Sequence, residues 1–95
     1  MGKVYRIAGF QTFGEAARAA REHADTKMPY VRGKKMSREE AAFNLGVVNK
    51  TLYHYEFGIT PTPPHIARRM AELYSAPWLR DLYFQMYLMG PKMAS

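Results

Sequence analysis

The chain has no cysteine. A disulfide framework, a thiolate metal site and a thiol nucleophile are all excluded. Its histidines, His23, His54 and His65, lie in three separate segments, and no two are four apart as metal-binding pairs on a helix are. There is no glycine-rich phosphate loop and no nucleophile elbow. The chain is therefore read as a non-enzyme with no metal and no cofactor, and no small-molecule ligand is expected. Long apolar runs are missing as well. The opening MGKVYRIAGFQ lacks the apolar core of a signal peptide. The most apolar segment, Trp78 to Met89, is interrupted by Arg80 and Asp81 and is too short to span a bilayer. No helix pairs a lysine- and arginine-rich face with a strong apolar one, as a membrane-surface helix would. The expectation is a soluble cytoplasmic protein with no membrane partner.

Acidic charge is scarce. The formal net charge is +6, which favours a polyanionic partner, nucleic acid above all. Apolar residues make up 47% of 95, enough for the core of one domain spanning 1–95. Net stability of such a domain is ~5–10 kcal/mol.

Residues Met1 to Gln11 alternate only in part, through Val4, Tyr5 and Ile7, as a short strand would. Thr12 and Glu15 then have capping-box spacing and open a helix over Phe13 to about His23. Phe13, Ala17, Ala20 and Ala24 share one stripe, with Arg18 and Glu22 opposite. The small side chains imply close approach by neighbouring helices. The stretch DTKMPYVRGKK, residues 25–35, breaks the pattern at Pro29 and Gly33. Lys27, Arg32, Lys34 and Lys35 make it either a solvated basic loop or an arm that touches DNA phosphates. A ribbon pairing Tyr30-Val31 with Val4-Tyr5 is a further alternative.

Ser37 and Glu40 form a second capping box, with Met36 and Ala41 in the staple positions. The helix they start ends at Gly46, where glycine takes the left-handed conformation at low cost. Another runs from Val48 or Asn49 to about Phe57, and Gly58 stops it. TPTPP forces a loop, with Thr62 as the expected N-cap and Pro63 at the first helical position. Ile66, Met70, Leu73 and Tyr74 then line one face of a fourth helix. A fifth, about 77–89, carries two apolar stripes: Leu79, Leu82, Met86 and Met89, then Tyr83, Phe84, Tyr87 and Leu88. A surface helix needs one stripe. Either the domain wraps this helix fully, or the second stripe is a homodimer contact.

The stretch from Ser37 to Gly58 organises the rest. Ala41, Ala42 and Leu45 face inward from one helix, and Val48, Leu52 and Tyr55 from the next. Ala42 is small where the two cross, Gly46 makes the turn, and Leu45 and Val47 plug the angle. This is helix-turn-helix spacing. Asn49, Lys50, Tyr53 and His54 are left on the outward face as one patch. Asparagine can pair with adenine and lysine with guanine acceptors, while a tyrosine ring can meet a thymine methyl.

The chain from Phe13 to about Leu88 resembles the Xre family of phage-repressor-like helix-turn-helix regulators. The resemblance is carried by RAAREHA, MSREEAAFNLGVVNKTLYHYEFG and TPPHIARRMAELYSAPWL. It implies an all-α domain of five helices, lambda-repressor-like, with an extended link between the first two. It also implies a frequent homodimer on a palindromic operator. Residue by residue, Arg38 falls on a position that touches the DNA backbone or an edge base, and Asn49, Lys50, Thr51, Tyr53 and His54 on the recognition helix. Glu56 falls on a carboxylate that pairs with an arginine of the first helix, here Arg21, as a structural ion pair. Three residues or stretches depart from the family's pattern. Val48 stands where serine or threonine usually caps, leaving Asn49 to cap instead. Arg38 replaces an uncharged amide, which favours phosphate. The link to the second helix is longer by roughly ten residues than short connections in such domains.

The expected function is sequence-specific binding of double-stranded DNA as a transcriptional regulator. The alternative is a protein-interaction module, such as the antitoxin partner of a toxin, working through the apolar fifth helix. If residues 25–35 are a DNA arm, neutralising Lys34 and Lys35 weakens duplex binding uniformly and flattens its salt dependence. Titration of one duplex at several salt concentrations measures this, and an unchanged slope returns the stretch to a solvated loop.

Overall fold

The structure is a computed structural model and describes residues 9–29 and 33–89. Helix α1 is Phe13–His23, α2 Arg38–Leu45, α3 Asn49–Glu56, α4 Pro64–Leu73 and α5 Trp78–Tyr83, and α5 winds on as a π-helical segment, Phe84–Met89. The domain is all-α, with five helices and no strand among the described residues. The ribbon between Val4-Tyr5 and Tyr30-Val31 lies outside them, as do Arg32 and the stretch before Gly9.

The caps expected at Thr12 and Ser37 form, with their carboxylates redirected. Thr12 accepts from the Glu15 amide at 3.1 Å, and Glu15 accepts from the Gln11 amide at 2.9 Å, one residue before the cap. Ser37 accepts from the Glu40 amide at 3.0 Å. The Glu40 carboxylate does not turn back to Ser37. It accepts the Thr26 hydroxyl and the Lys27 amide, both at 2.6 Å, and so clamps the long loop to the first turn of α2. At the base of that loop the Thr26 amide donates to Lys34 O at 2.8 Å and the Met36 amide to Ala24 O at 2.9 Å. An isolated antiparallel bridge joins Asp25 and Lys35. Residues 24–26 and 34–36 are thus held against each other.

Helix α4 starts one residue later than the sequence suggests. Pro63 is the cap and Pro64 the first helical residue. The ring of Pro64 holds Pro63 extended, at ψ 150°, so Pro63 cannot join the helix. Thr62 is buried instead, and its carbonyl accepts the Tyr83 hydroxyl at 2.8 Å, which ties the α3–α4 loop to α5.

Most of the core is the set the periodicity implies, with Ala16, Met36, Ala67, Ala71 and Ala76 added and Leu73 only half-buried. Ala16, Ala17 and Ala20 of α1, Ala41, Ala42 and Leu45 of α2, and Leu52 and Tyr55 of α3 are buried together with Ile66, Met70, Tyr74, Leu79, Leu82 and Met86. Phe13 packs edge-on to Tyr83, centroids 5.0 Å apart. Burying a leucine or phenylalanine side chain is worth about 2 kcal/mol, so the fully buried Phe13, Leu45 and Leu52 anchor α1, α2 and α3 strongly. Of the two stripes on the fifth helix, Leu79, Leu82 and Met86 are buried, Tyr83 is half-buried and Phe84 is exposed. The side chains of Tyr87, Leu88 and Met89 are outside what is described. Val48 was expected to face inward and is 66% exposed. It is the cap of α3, with extended backbone, so helical phase does not apply to it.

Two glycines set the geometry. Gly46 has φ +79° and closes α2, letting the Val47 amide reach Ala42 O at 3.0 Å. Gly14 lies where α1 abuts the end of α3. A Cβ there would stand 2.3 Å from the Tyr55 carbonyl oxygen and 2.7 Å from that of Glu56. Both obstacles are backbone, so α1 or α3 must shift. Alanine is otherwise the better helix former by about 1 kcal/mol. Gly14→Ala is nevertheless expected to destabilise the domain by about 3 kcal/mol, at the upper end for overpacking, as read from its urea midpoint.

Candidate nucleic-acid interface

The site is built on one carboxylate. Glu56 ends α3 with its side chain wholly buried. It accepts from Arg21 Nε at 2.6 Å and from Arg21 Nη2 at 3.1 Å, a two-pronged pair reaching from α1. It also accepts from Arg38 Nε at 3.1 Å, from the first residue of α2. Arg21 Nη1 donates to Met36 O at 3.1 Å, which fixes the end of the long loop. Burial draws the Arg21 pKa down, but the hydrogen bonds and charge of Glu56 outweigh it, and the net shift is upward. Tyr74 is buried near this pair. Desolvation first, then the charge of Glu56, raises its pKa, so its hydroxyl stays protonated. That hydroxyl has no hydrogen-bond partner among the described residues.

Two guanidiniums on one carboxylate leave an excess positive charge, and Arg38 carries it outward. Its side chain is 29% exposed, against 7% for Arg21. The Arg38 guanidinium lies over the rings of Tyr53, at 5.3 Å, and Phe57, at 5.9 Å. The two rings are 4.6 Å apart, centroid to centroid. The family resemblance implied that Arg38 touches the DNA backbone or an edge base, and its bond to Glu56 was not foreseen. Nothing in the spacing could show it, because the two residues are brought together only when α2 folds against α3. The Nη1 and Nη2 atoms of Arg38 have no partner among the described residues, so its outer edge remains available to an acceptor.

On α3, Asn49, Lys50 and Tyr53 are exposed, and Thr51 and His54 half-buried. Val48 makes no side-chain cap bond. Asn49 does not cap in its place. It is the first residue inside the helix, so its amide group is not committed there. The fold thus brings Arg38, Asn49, Lys50 and Tyr53 to one side of the α2–α3 pair. Phe57 belongs with them, and its position four residues beyond Tyr53 was the signal for it.

The basic loop residues fare differently. Lys35 Nζ donates to Asp25 Oδ1 at 3.0 Å and to His23 O at 3.3 Å, an exposed pair in which the Lys35 side chain is still 57% exposed. Lys27 and Lys34 are exposed. Phe43, near the end of α2, is 84% exposed and was not singled out by periodicity. Met28, Pro29, Phe43 and Asn44 line a shallow groove of about 480 Å³ between the loop and α2. Among the described residues no three histidine, aspartate or glutamate side chains gather as a metal site would need, and no helix is long and apolar enough to cross a membrane.

No family model, curated protein or solved structure matches the chain.

The triad yields a stability prediction. Removing the charge of Glu56 strands Arg21 in the interior, and breaking a buried pair on one side costs about 3–5 kcal/mol. Glu56→Gln is expected to lower stability by that much, measured by chemical denaturation. A loss below about 1 kcal/mol, the worth of an exposed pair, would mean that the triad does not hold the three helices together.

Proposed function

We propose that the chain is a sequence-specific double-stranded DNA-binding regulator of the phage-repressor-like, Xre type, with α3 lying in the major groove. The reading is of a binding protein, not an enzyme, acting without metal or cofactor. The observation that carries it is the outward row of α3. Asn49, Lys50 and Tyr53 stand exposed on a helix locked from behind by Glu56, with the partly free Arg38 guanidinium beside them. A rigid helix with such a face can read base edges, while arginine and lysine neutralise phosphates and supply affinity. In this assignment Asn49 and Lys50 contact bases, Tyr53 and His54 meet a thymine methyl or the backbone, Thr51 supports the helix start, and Arg38 takes a phosphate. The protein acts as a homodimer. Its half-sites then lie ~34 Å apart, one turn of the duplex.

A second reading has its own observation. Phe43, Trp78 and Phe84 are large, apolar and exposed, which suits a protein-interaction module such as an antitoxin.

Selection of bound sequences from random duplex DNA separates the two. A DNA reader enriches a two-fold symmetric site, and a pure interaction module enriches nothing. On the enriched site, Asn49→Ala or Lys50→Ala is expected to cost about 1–3 kcal/mol and to relax preference at one base position. Equal loss on specific and random duplex would remove those residues from base reading.

A further inference from the structure

Asn49 and Tyr53 on α3 and Phe57, the residue that caps it, are spaced four apart and exposed. Eight residues at ~1.5 Å per residue span about 12 Å. The major groove is about 12 Å wide. A helix whose first turn reaches the base edges therefore brings its last turn to the groove wall, where the phosphates are. The last turn of α3 is where the arginines gather. Phe57 is 46% exposed, and its ring carries the Arg38 guanidinium at 5.9 Å and that of Arg18, from α1, at 5.0 Å.

We infer that Arg18 is a DNA-backbone contact, held in place by the Phe57 ring, and that the phosphate-binding edge runs from α2 across the end of α3 to α1. The inference rests on the DNA-binding reading and extends its footprint to a helix outside the helix-turn-helix pair. Three features support it. The Arg18 side chain is 45% exposed, so it reaches solvent without rearrangement. Its Nε donates to Glu22 at 3.0 Å, while its Nη1 and Nη2 atoms have no partner among the described residues. An aromatic ring under a guanidinium attracts it and restricts where it points, which lowers the ordering cost of meeting a phosphate. Glu22 and Glu15 lie nearby and oppose an anion. The opposition is small. Arg18 and Glu22 are an exposed i,i+4 pair, worth about a twofold factor, and a phosphate competes with it readily.

The test uses the full chain, its selected duplex and a random duplex of equal length, with affinity measured across a salt series. Arg18→Gln is expected to weaken both duplexes equally and to reduce the slope of log affinity against log salt by about 0.9, one phosphate's share. Arg18→Lys keeps the charge and restores the slope. Glu22→Gln frees Arg18 and tightens binding about twofold. If the wild-type chain binds duplex and Arg18→Gln keeps the wild-type slope, the inference is overturned and the DNA-binding reading stands. If the wild-type chain binds neither duplex, both fall together.

Discussion

Glu56 is the point on which three helices turn. One carboxylate, fully buried, receives Arg21 from α1 and Arg38 from α2 while belonging to α3. An isolated buried carboxylate would be prohibitive, and so would an isolated Arg21. Each is tolerable only in the presence of the other, so the relative placement of α1 and α3 is all-or-none. The close approach at Gly14 has the same consequence. The start of α1 touches the carbonyls of Tyr55 and Glu56, and no side chain fits between. The ion pair and the glycine contact fix the same junction from two directions.

That junction explains how so short a helix can present a fixed face. Helix α3 has eight residues and no side-chain cap, and alone it would not persist in water. Leu52 and Tyr55 hold its inner side in the core, Glu56 pins its end, and the Val47 amide bonded to Ala42 O sets the turn before it. Few degrees of freedom remain to be frozen when a ligand meets the outer side. On the DNA-binding reading, this pre-ordering leaves more of each contact's free energy for discrimination between sequences.

Much of this was legible in the sequence, and the reason is local. The α1 to α3 boundaries followed from capping residues and glycines next to periodic apolar positions, all signals carried within a few residues. Most of the core followed from the same periodicity. What could not be read was long-range or depended on a choice between partners. Glu40 has the spacing to bond Ser37, yet its carboxylate goes to Thr26 and Lys27, because the folded-back loop offers two donors at once. Arg38 looked like a free cation and is half committed to Glu56. Val48 satisfied an apolar pattern but lies outside the helix, where the pattern has no force. Thr62 had cap chemistry, and a second proline, Pro64, moved the cap along by one. Of the basic loop residues, Lys35 turned out to be held by Asp25, a pairing that arises only once the loop's two ends meet.

The triad raises a question of magnitude that bears on what it is for. Replacing a buried ionic cluster by well-packed apolar side chains is often neutral or stabilising by about 1–4 kcal/mol. Stability alone therefore gives no reason for two arginines on one glutamate at this junction. Position does. An apolar plug would join α1 to α3 equally well, but it would leave Arg38 only the rings of Tyr53 and Phe57 to orient it. With Glu56 in place, Arg38 is gripped at Nε, laid against Tyr53 and Phe57, and left 29% exposed. The carboxylate neutralises one guanidinium inside the protein and aims the other out of it. On the DNA-binding reading, a cation placed in this way beside exposed polar side chains on a fixed helix is held ready for a phosphate.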